Sequence, residues 1–134
     1  MPGTVVALET EGEISLVEVD VDGRRLSSLV LESSESAAYI AVGSPVTVLF
    51  KESEVSLSLA DCPSLSIRNR LPGIIMSIAE GRILTHVILD CGVRTLHSLI
   101  TTHALRELGL RPGLAVQALI KSTEVSLAEG HASL

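Results

Sequence analysis

The chain has 134 residues, of which 46% are hydrophobic and 19% are charged, and its formal net charge at neutral pH is −6. This apolar content excludes a disordered chain, and no apolar run reaches the roughly 18–20 residues that a membrane span needs. The negative charge, with a single Tyr and a single Phe, offers neither a basic surface for phosphates nor aromatic platforms for bases, which argues against nucleic-acid binding.

The first half of the chain is rich in strand signals. Residues Val17 to Asp22 alternate apolar and acidic side chains, which is typical of a strand with one solvated face. Asp22-Gly23 predicts a tight hairpin turn directly after this strand. Further strands are predicted at 5–8, 26–31, 46–50 and 55–57, and a short helix is predicted at 33–40.

The second half predicts the same order of elements. Strands are predicted at 74–78, 86–90, 96–101, 115–120 and 125–127, a helix at 102–108, a linker at 61–64 and a frayed tail at 129–134. Five short strands with one helix between the third and the fourth suit a small Greek-key barrel of the OB type. The predicted fold is therefore all-β, with two tandem OB-like five-stranded Greek-key barrels that each carry one short helix.

The similarity of the two halves is an internal repeat. An ungapped overlay of residues 2–57 on residues 72–127 gives 16 identities in 56 positions. The only two lysines, Lys51 and Lys121, open the nearly identical heptads KESEVSL and KSTEVSL. We therefore predict two repeat domains, 1–63 and 64–134. Each is close to the size at which a lone core is marginal, so we expect the halves to pack on each other or on another copy of the chain.

Motifs for catalysis or for metal cations are not evident. The sequence contains no GxSxG, HExxH or Walker motif, and Cys62 and Cys91 form no CxxC pair, so we expect two buried, apolar cysteines. The histidines have no metal-ligand spacing; they are His86, His97, His103 and His131. We predict that the chain is not an enzyme and holds no metal cation.

Two segments instead collect hydrogen-bond donors. Ser66-Ile-Arg-Asn69 and Lys121-Ser-Thr123 each place a cation beside hydroxyl groups and strand-end N–H groups, and neither segment contains a carboxylate. An oxyanion without a proton can only accept hydrogen bonds, so it requires a set of donors of this kind. Ordinary solvated charges at strand ends explain the same pattern, and the spacing alone leaves both interpretations open.

Together with Leu108-Gly-Leu-Arg-Pro-Gly113, these segments resemble the motifs of the molybdate-binding Mop (molbindin, or TOBE-type) domain. The resemblance covers the second repeat fully and the first more loosely. It implies OB-like barrels that bind molybdate or tungstate where chains meet, in a homo-oligomer that is a dimer or a trimer. The oxyanion-binding residues that it implies are Ser66, Arg68, Asn69, Thr101, Lys121 and Ser122, with Lys51 and Ser53 as secondary candidates.

The first repeat departs from the family pattern. It has no Ser-x-Arg-Asn segment, and it has Glu52 where the second repeat has Ser122, and Leu31 where the second repeat has Thr101. In the second repeat, Ala104 stands where some family members place a serine. A carboxylate beside a dianion costs binding energy, so we expect no conventional site made from first-repeat residues alone.

The resemblance thus implies a protein that binds molybdate or tungstate for the storage, homeostasis or sensing of molybdenum, and we expect it to be cytoplasmic. Its first residues, Met-Pro-Gly-Thr, lack the basic and apolar regions of a signal peptide. Two alternatives stay open. One is a regulatory pair of Mop domains from a molybdate importer ATPase or a molybdate-responsive repressor. The other is a dimerisation module that binds no ligand.

Overall fold

A computed structural model of the chain describes residues 1–32 and 40–131. Its strands are β1 Pro2–Glu11, β2 Ile14–Val21, β3 Arg24–Val30, β4 Pro45–Leu49, β5 Ser56–Leu59, β6 Asn69–Glu80, β7 Leu84–Asp90, β8 Thr95–Thr101, β9 Ala115–Ile120 and β10 Ser126–Glu129. The helix α1 spans Thr102–Leu108, and short 3-10 helices at Glu52–Glu54 and Ser122–Glu124 precede β5 and β10. No helix among the described residues is long and apolar enough to cross a membrane.

Each sheet contains an antiparallel meander of three strands, β1-β2-β3 in one and β6-β7-β8 in the other. Side chains along β2 and β7 point alternately into the core and out to solvent, as the period of a strand requires. The turn between β2 and β3 has φ angles of 53° at Asp22 and 84° at Gly23, which agrees with the predicted tight hairpin.

A pair of glycines that both repeats share, Gly3 and Gly73, allows neighbouring strands to approach closely. A Cβ atom added at Gly73 would lie 2.8 Å from Cys91 Sγ, and one added at Gly3 would lie 2.6 Å from Val19 Cγ1. Both strands then carry an irregularity in register two residues further on, between Val5 and Ala7 in β1 and between Ile75 and Ser77 in β6. The repeats therefore share backbone detail as well as sequence.

The last strand of each repeat joins the sheet of the other repeat. The strand orders are β10-β4-β1-β2-β3 and β5-β9-β6-β7-β8, so β10 pairs with β4 and β5 pairs with β9. The chain forms two compact units: unit 1 is Met1–Phe50 with Lys121–Leu134, and unit 2 is Lys51–Ile120. These units differ from the predicted domains 1–63 and 64–134 because the repeats exchange their last strands. As a division of the sequence into repeats, that boundary stays a prediction.

A buried serine on the third strand of each barrel forms a hydrogen bond to the chain just before the exchanged strand of that barrel. Ser28 Oγ donates to the Val125 carbonyl and Ser98 Oγ donates to the Val55 carbonyl, each at 2.6 Å. Ser28 is 1% exposed and Ser98 is 0% exposed. These bonds link β3 to the segment before β10, and β8 to the segment before β5, which completes the OB-like order of strands.

The predicted all-β fold with two five-stranded OB-like sheets is confirmed, and α1 and β9 have the predicted bounds. The helix predicted at 33–40 falls on residues outside the described part, except for Ile40. The frayed tail is wrong for residues 129–131, because Glu129 ends β10, Gly130 N–H donates to the Pro45 carbonyl at 3.0 Å, and His131 Nε2 lies 2.9 Å from the Gly3 carbonyl. Both cysteines are half-buried rather than buried.

Removing the Ser98 hydroxyl should destabilise the fold, because the buried Val55 carbonyl would lose its hydrogen-bond donor. We expect Ser98→Ala to lower the free energy of unfolding by about 1–3 kcal/mol, measured by equilibrium denaturation in urea. Ser56→Ala is the matched control, because Ser56 is exposed and its substitution should change stability by no more than about 0.5 kcal/mol. Equal losses in the two variants would contradict the role given to Ser98.

Candidate functional site

The Ser66–Asn69 segment presents its side chains alternately to solvent and to the protein. Ser66 and Arg68 are exposed, whereas Asn69 is 1% exposed and begins β6, opposite Ile120. Within the described residues, the Arg68 guanidinium forms no ion pair or hydrogen bond. The Ser66 hydroxyl and the Arg68 guanidinium can therefore donate hydrogen bonds to a ligand, and they lie beside the buried Asn69 at the start of β6.

Arg70 holds the loop that carries Ser66 and Arg68. Its guanidinium donates to the carbonyls of Ile67 at 3.1 Å and Leu65 at 3.0 Å. It also donates to the carbonyls of Cys62 at 3.2 Å and Pro63 at 2.9 Å. An arginine can satisfy several acceptors at once because its donors form a rigid planar fork. The predicted linker at 61–64 is therefore fixed to β6 by this side chain.

Thr101 is the N-cap of α1, where its Oγ1 accepts a hydrogen bond from the Ala104 N–H at 3.1 Å. The cap uses the oxygen as an acceptor, so the hydroxyl hydrogen can still be donated. Thr101, Ser53 and Ala104 line an open pocket of about 320 Å³ whose other walls are mainly apolar. Two of the predicted site residues thus share a pocket whose lining also includes the hydroxyl residue Ser56, whereas Ala104 contributes no hydroxyl group.

Lys121 and Ser122 lie in unit 1, directly before β10. The Lys121 side chain is exposed, and its carbonyl accepts from the Glu124 N–H at 2.9 Å to start the 3-10 helix. Ser122 Oγ lies 2.6 Å from Ser27 Oγ, and either hydroxyl can be the donor. This bond occupies one of the two hydroxyl hydrogens and connects Ser122 to β3. The sequence pattern contained no signal for Ser27 because it lies 95 residues away in the chain.

The predicted site residues fall into two sets. Unit 2 holds Ser66, Arg68, Asn69 and Thr101, together with the secondary candidates Lys51 and Ser53. Unit 1 holds Lys121 and Ser122. The strand exchange causes this division, because the chain between β9 and β10 passes from one unit to the other. Neither unit contains both halves of the predicted site.

The sequence matches the model of the TOBE domain twice, over residues 1–57 and 65–127. The chain belongs to the TOBE-domain family. The resemblance stated from the two donor segments is confirmed, and the repeated match agrees with the tandem arrangement of the two repeats. The match begins at residue 65 in the second repeat, so it includes the Ser66–Asn69 segment, whereas the first repeat has no counterpart to that segment.

Similar proteins are described by their names as binding molybdate or molybdenum-pterin. The chain is 35% identical over 127 residues to the molybdenum-pterin-binding protein MopA of Rhodobacter capsulatus, covering 93% of this chain and 46% of MopA. It is 35% identical over 65 residues to the molybdenum-pterin-binding protein 1 of Clostridium pasteurianum, covering 48% of this chain and 96% of that protein. The chain spans about half the length of the first curated relatives that it matches.

A solved structure has the same tandem fold. It is that of the cytoplasmic molybdate-binding protein ModG with molybdate bound, with a TM-score of 0.86 and 32% sequence identity. The alignment covers 96% of this chain and 93% of ModG. The likeness therefore includes both OB-like sheets and the order of the two TOBE repeats.

Loss of the Arg70 side chain should loosen the 62–67 loop. Arg70→Ala removes charge-assisted hydrogen bonds, each worth about 1.5–3 kcal/mol, so the open loop should be populated at least roughly tenfold more. We expect faster cleavage between residues 62 and 68 by a protease of broad specificity, with the cut sites read by mass spectrometry. Arg82→Ala is the control, because Arg82 is exposed and has no hydrogen bond or ion pair within the described residues. Equal cleavage in both variants would rule out the role of Arg70.

Proposed function

We propose that this tandem TOBE chain binds molybdate or tungstate at contacts between copies of the chain and serves molybdenum storage, homeostasis or sensing in the cytoplasm. Its role is binding rather than catalysis. The bound species is a tetrahedral dianion held by fixed N–H and O–H donors and by two cationic side chains, Arg68 and Lys121.

The observation that carries the proposal is the Ser66–Arg68 segment with its support. Ser66 and Arg68 face solvent, and Arg70 fixes the loop between them and the linker through backbone carbonyls. Pre-organised donors lose little conformational entropy when an anion arrives. Asn69 is buried, which favours a role in anchoring the segment at the start of β6 over direct contact with the ion.

The lack of a cation in the pocket beside Thr101 supports a site shared by two chains. The residues that line the pocket beside Thr101 and Ser53 include no Lys or Arg, so a dianion there would need a cation from outside the pocket. Lys121, which directly precedes Ser122, is an exposed cation that forms no ion pair within the described residues. We propose that Lys121 and Ser122 of one copy complete the donor set of another.

The comparisons favour the same ligand and compartment. ModG, which shares the fold along most of its length, is a cytoplasmic molybdate-binding protein. MopA and the single-repeat protein of Clostridium pasteurianum are named for binding molybdenum-pterin. Molybdate and tungstate are nearly equal in charge and size, so we propose that the chain accepts both.

Two alternative functions each have an observation in their favour. The similarity of the chain to the molybdenum transport protein ModE of Azotobacter vinelandii and to molybdenum import ATP-binding proteins named ModC favours a regulatory pair of domains in an importer ATPase or repressor. Ala104 adds no hydroxyl to the pocket, and Glu52 places a carboxylate where Ser122 stands in the other repeat. These two residues favour a dimerisation module without a ligand.

Removal of either cation should weaken molybdate binding. Arg68→Ala or Lys121→Ala removes a charge-assisted bond worth about 1.5–3 kcal/mol, so the Kd for molybdate in isothermal titration calorimetry should rise about 10- to 100-fold. Both side chains are exposed, so the fold should persist, and circular dichroism checks this. Arg82→Ala is the control that removes an exposed cation outside either donor segment, and it should leave the Kd unchanged.

Competition by phosphate tests the chemistry of the site. Phosphate at neutral pH carries a proton on part of its population, and a set made only of donors offers that P–OH no acceptor. Tungstate should therefore displace molybdate at comparable concentration, whereas phosphate should not. Displacement by phosphate at an equal concentration would overturn the donor-only site.

An unchanged Kd for molybdate in both Arg68→Ala and Lys121→Ala would overturn the assignment of these residues to the site.

The proposed site also requires self-association. Strand β6 exposes Ile74 and Met76 by 52% and 55%, which is apolar surface that association can bury. Light scattering at micromolar protein with molybdate present should give the mass of a dimer or a trimer. A monomeric mass under saturating molybdate would exclude a site shared between chains.

A further inference from the structure

A cluster of three metal-ligating side chains lies on the outer face of unit 2. It includes no residue of the Ser66–Asn69 or Lys121–Thr123 segment, although Glu52 lies between the secondary candidates Lys51 and Ser53. Glu52, His86 and His97 each offer one ligand atom, and these atoms all lie within 4.8 Å of one another. His86 Nε2 is 2.8 Å from His97 Nδ1 and 3.7 Å from Glu52 Oε2. The two imidazole rings stack with their centroids 4.9 Å apart.

The register of the sheet brings the histidines together. His86 on β7 pairs with Leu99, and His97 on β8 pairs with Ile88, so the histidines are diagonal neighbours. Residues two apart on a strand share a face, and diagonal neighbours are within reach of long or ring side chains. Glu52 reaches them from the 3-10 helix that precedes β5. Three separate elements therefore converge on one point.

We propose that Glu52, His86 and His97 bind a divalent transition metal ion of the zinc class. Two imidazoles and one carboxylate are ligands that Zn²⁺ accepts, and three protein ligands leave a fourth tetrahedral position for water. With bonds of roughly 2.0–2.2 Å, neighbouring ligand atoms around tetrahedral zinc lie about 3.3 Å apart. The two separations at His86 Nε2, 2.8 Å and 3.7 Å, lie on either side of this value. The ion replaces the hydrogen bond between the two imidazoles, because both facing nitrogens must be unprotonated to coordinate it.

Exposure sets the strength of the site. The side chains of His86 and Glu52 are 35% and 53% exposed, so solvent reaches the ion and no deep burial of charge is needed. A carboxylate offsets one of the two positive charges of the metal. Such a site exchanges its ion with solution, unlike the closed four-ligand sites that hold structural zinc.

The internal repeat shows that the fold alone does not produce the cluster. The equivalents of Glu52, His86 and His97 in the other repeat are Ser122, Leu16 and Ser27. Ser27 and Ser122 still meet, with their Oγ atoms 2.6 Å apart, but they offer hydroxyl groups, and Leu16 offers no ligand atom. The same place in the barrel therefore carries hydrogen-bond donors in unit 1 and metal ligands in unit 2. The proposed stoichiometry is one ion per chain.

Titration of the chelator-treated, full-length chain with zinc chloride tests the proposal. Isothermal titration calorimetry should show one ion per chain, and Co²⁺ in place of zinc should give the visible absorption of a tetrahedral site. His86→Ala and His97→Ala each remove one direct ligand. Loss of a residue that only orients a ligand weakens metal binding about 10- to 100-fold, so the Kd for zinc should rise by at least that much.

His103→Ala is the matched control. His103 Nε2 lies 3.6 Å from Glu107 Oε2, so it forms an exposed histidine–carboxylate pair without a second histidine. This variant should bind zinc like the unmodified chain. The proposal is overturned if the unmodified chain binds no zinc, if the double variant of His86 and His97 binds as tightly as the unmodified chain, or if His103→Ala weakens binding equally. Because His97 is exposed, His97→Ala keeps the test valid should His86→Ala fail to fold.

Glu52→Ser separates this proposal from oxyanion binding, because it introduces the hydroxyl that the other repeat has at Ser122. Zinc affinity should fall about tenfold or more, while the Kd for molybdate should stay the same or decrease. Unchanged zinc affinity in this variant would remove Glu52 from the site. The zinc titration does not depend on the outcome with molybdate.

Discussion

The pairing of β10 with β4 and of β5 with β9 determines which unit receives the two lysine segments of the chain. Each sheet receives its last strand from the other repeat, and a buried serine hydroxyl joins that incoming segment to the third strand of the barrel. The residues just before each exchanged strand lie in the same unit as that strand. Lys121 and Ser122 therefore lie in unit 1, and Lys51 and Glu52 lie in unit 2.

As a result, the two units carry different side chains at equivalent positions. In unit 1, Ser122 meets Ser27, and two hydroxyl groups face each other beside an exposed lysine. In unit 2, Glu52 meets His86, with His97 next to it, and acceptor atoms predominate. The two barrels therefore differ in side-chain chemistry at this place, although their backbones correspond strand for strand.

Local patterns made most of the fold predictable. Alternating side chains marked β2, Asp22-Gly23 marked its hairpin, and the bounds of α1 follow from Thr101 as a cap and Gly109 in the left-handed conformation. The repeat itself was visible because the overlay needs no gaps. These features depend on neighbours in sequence, which is why sequence reasoning finds them.

Contacts between distant residues were not predictable in the same way. The two heptads are nearly identical, so nothing in them tells which barrel each following strand enters. The histidine pair depends on the register of β7 against β8, and a shift of one residue would place the rings on opposite faces. Arg70 was overlooked because its partners are backbone carbonyls, which every residue possesses and no motif records. The donor segments were found, but their separation into two units follows from the exchange.

The joining of two repeats in one chain also affects how the protein can evolve. The molybdenum-pterin-binding protein 1 of Clostridium pasteurianum has about the length of one repeat, and in an assembly of identical short chains every mutation appears in all copies at once. Here the two repeats are covalently joined, so a mutation changes one barrel and leaves its counterpart as it was. Glu52 and Ser122 occupy equivalent positions with opposite hydrogen-bonding character. Two repeats in one chain are thus free of the symmetry that identical copies would impose on each other.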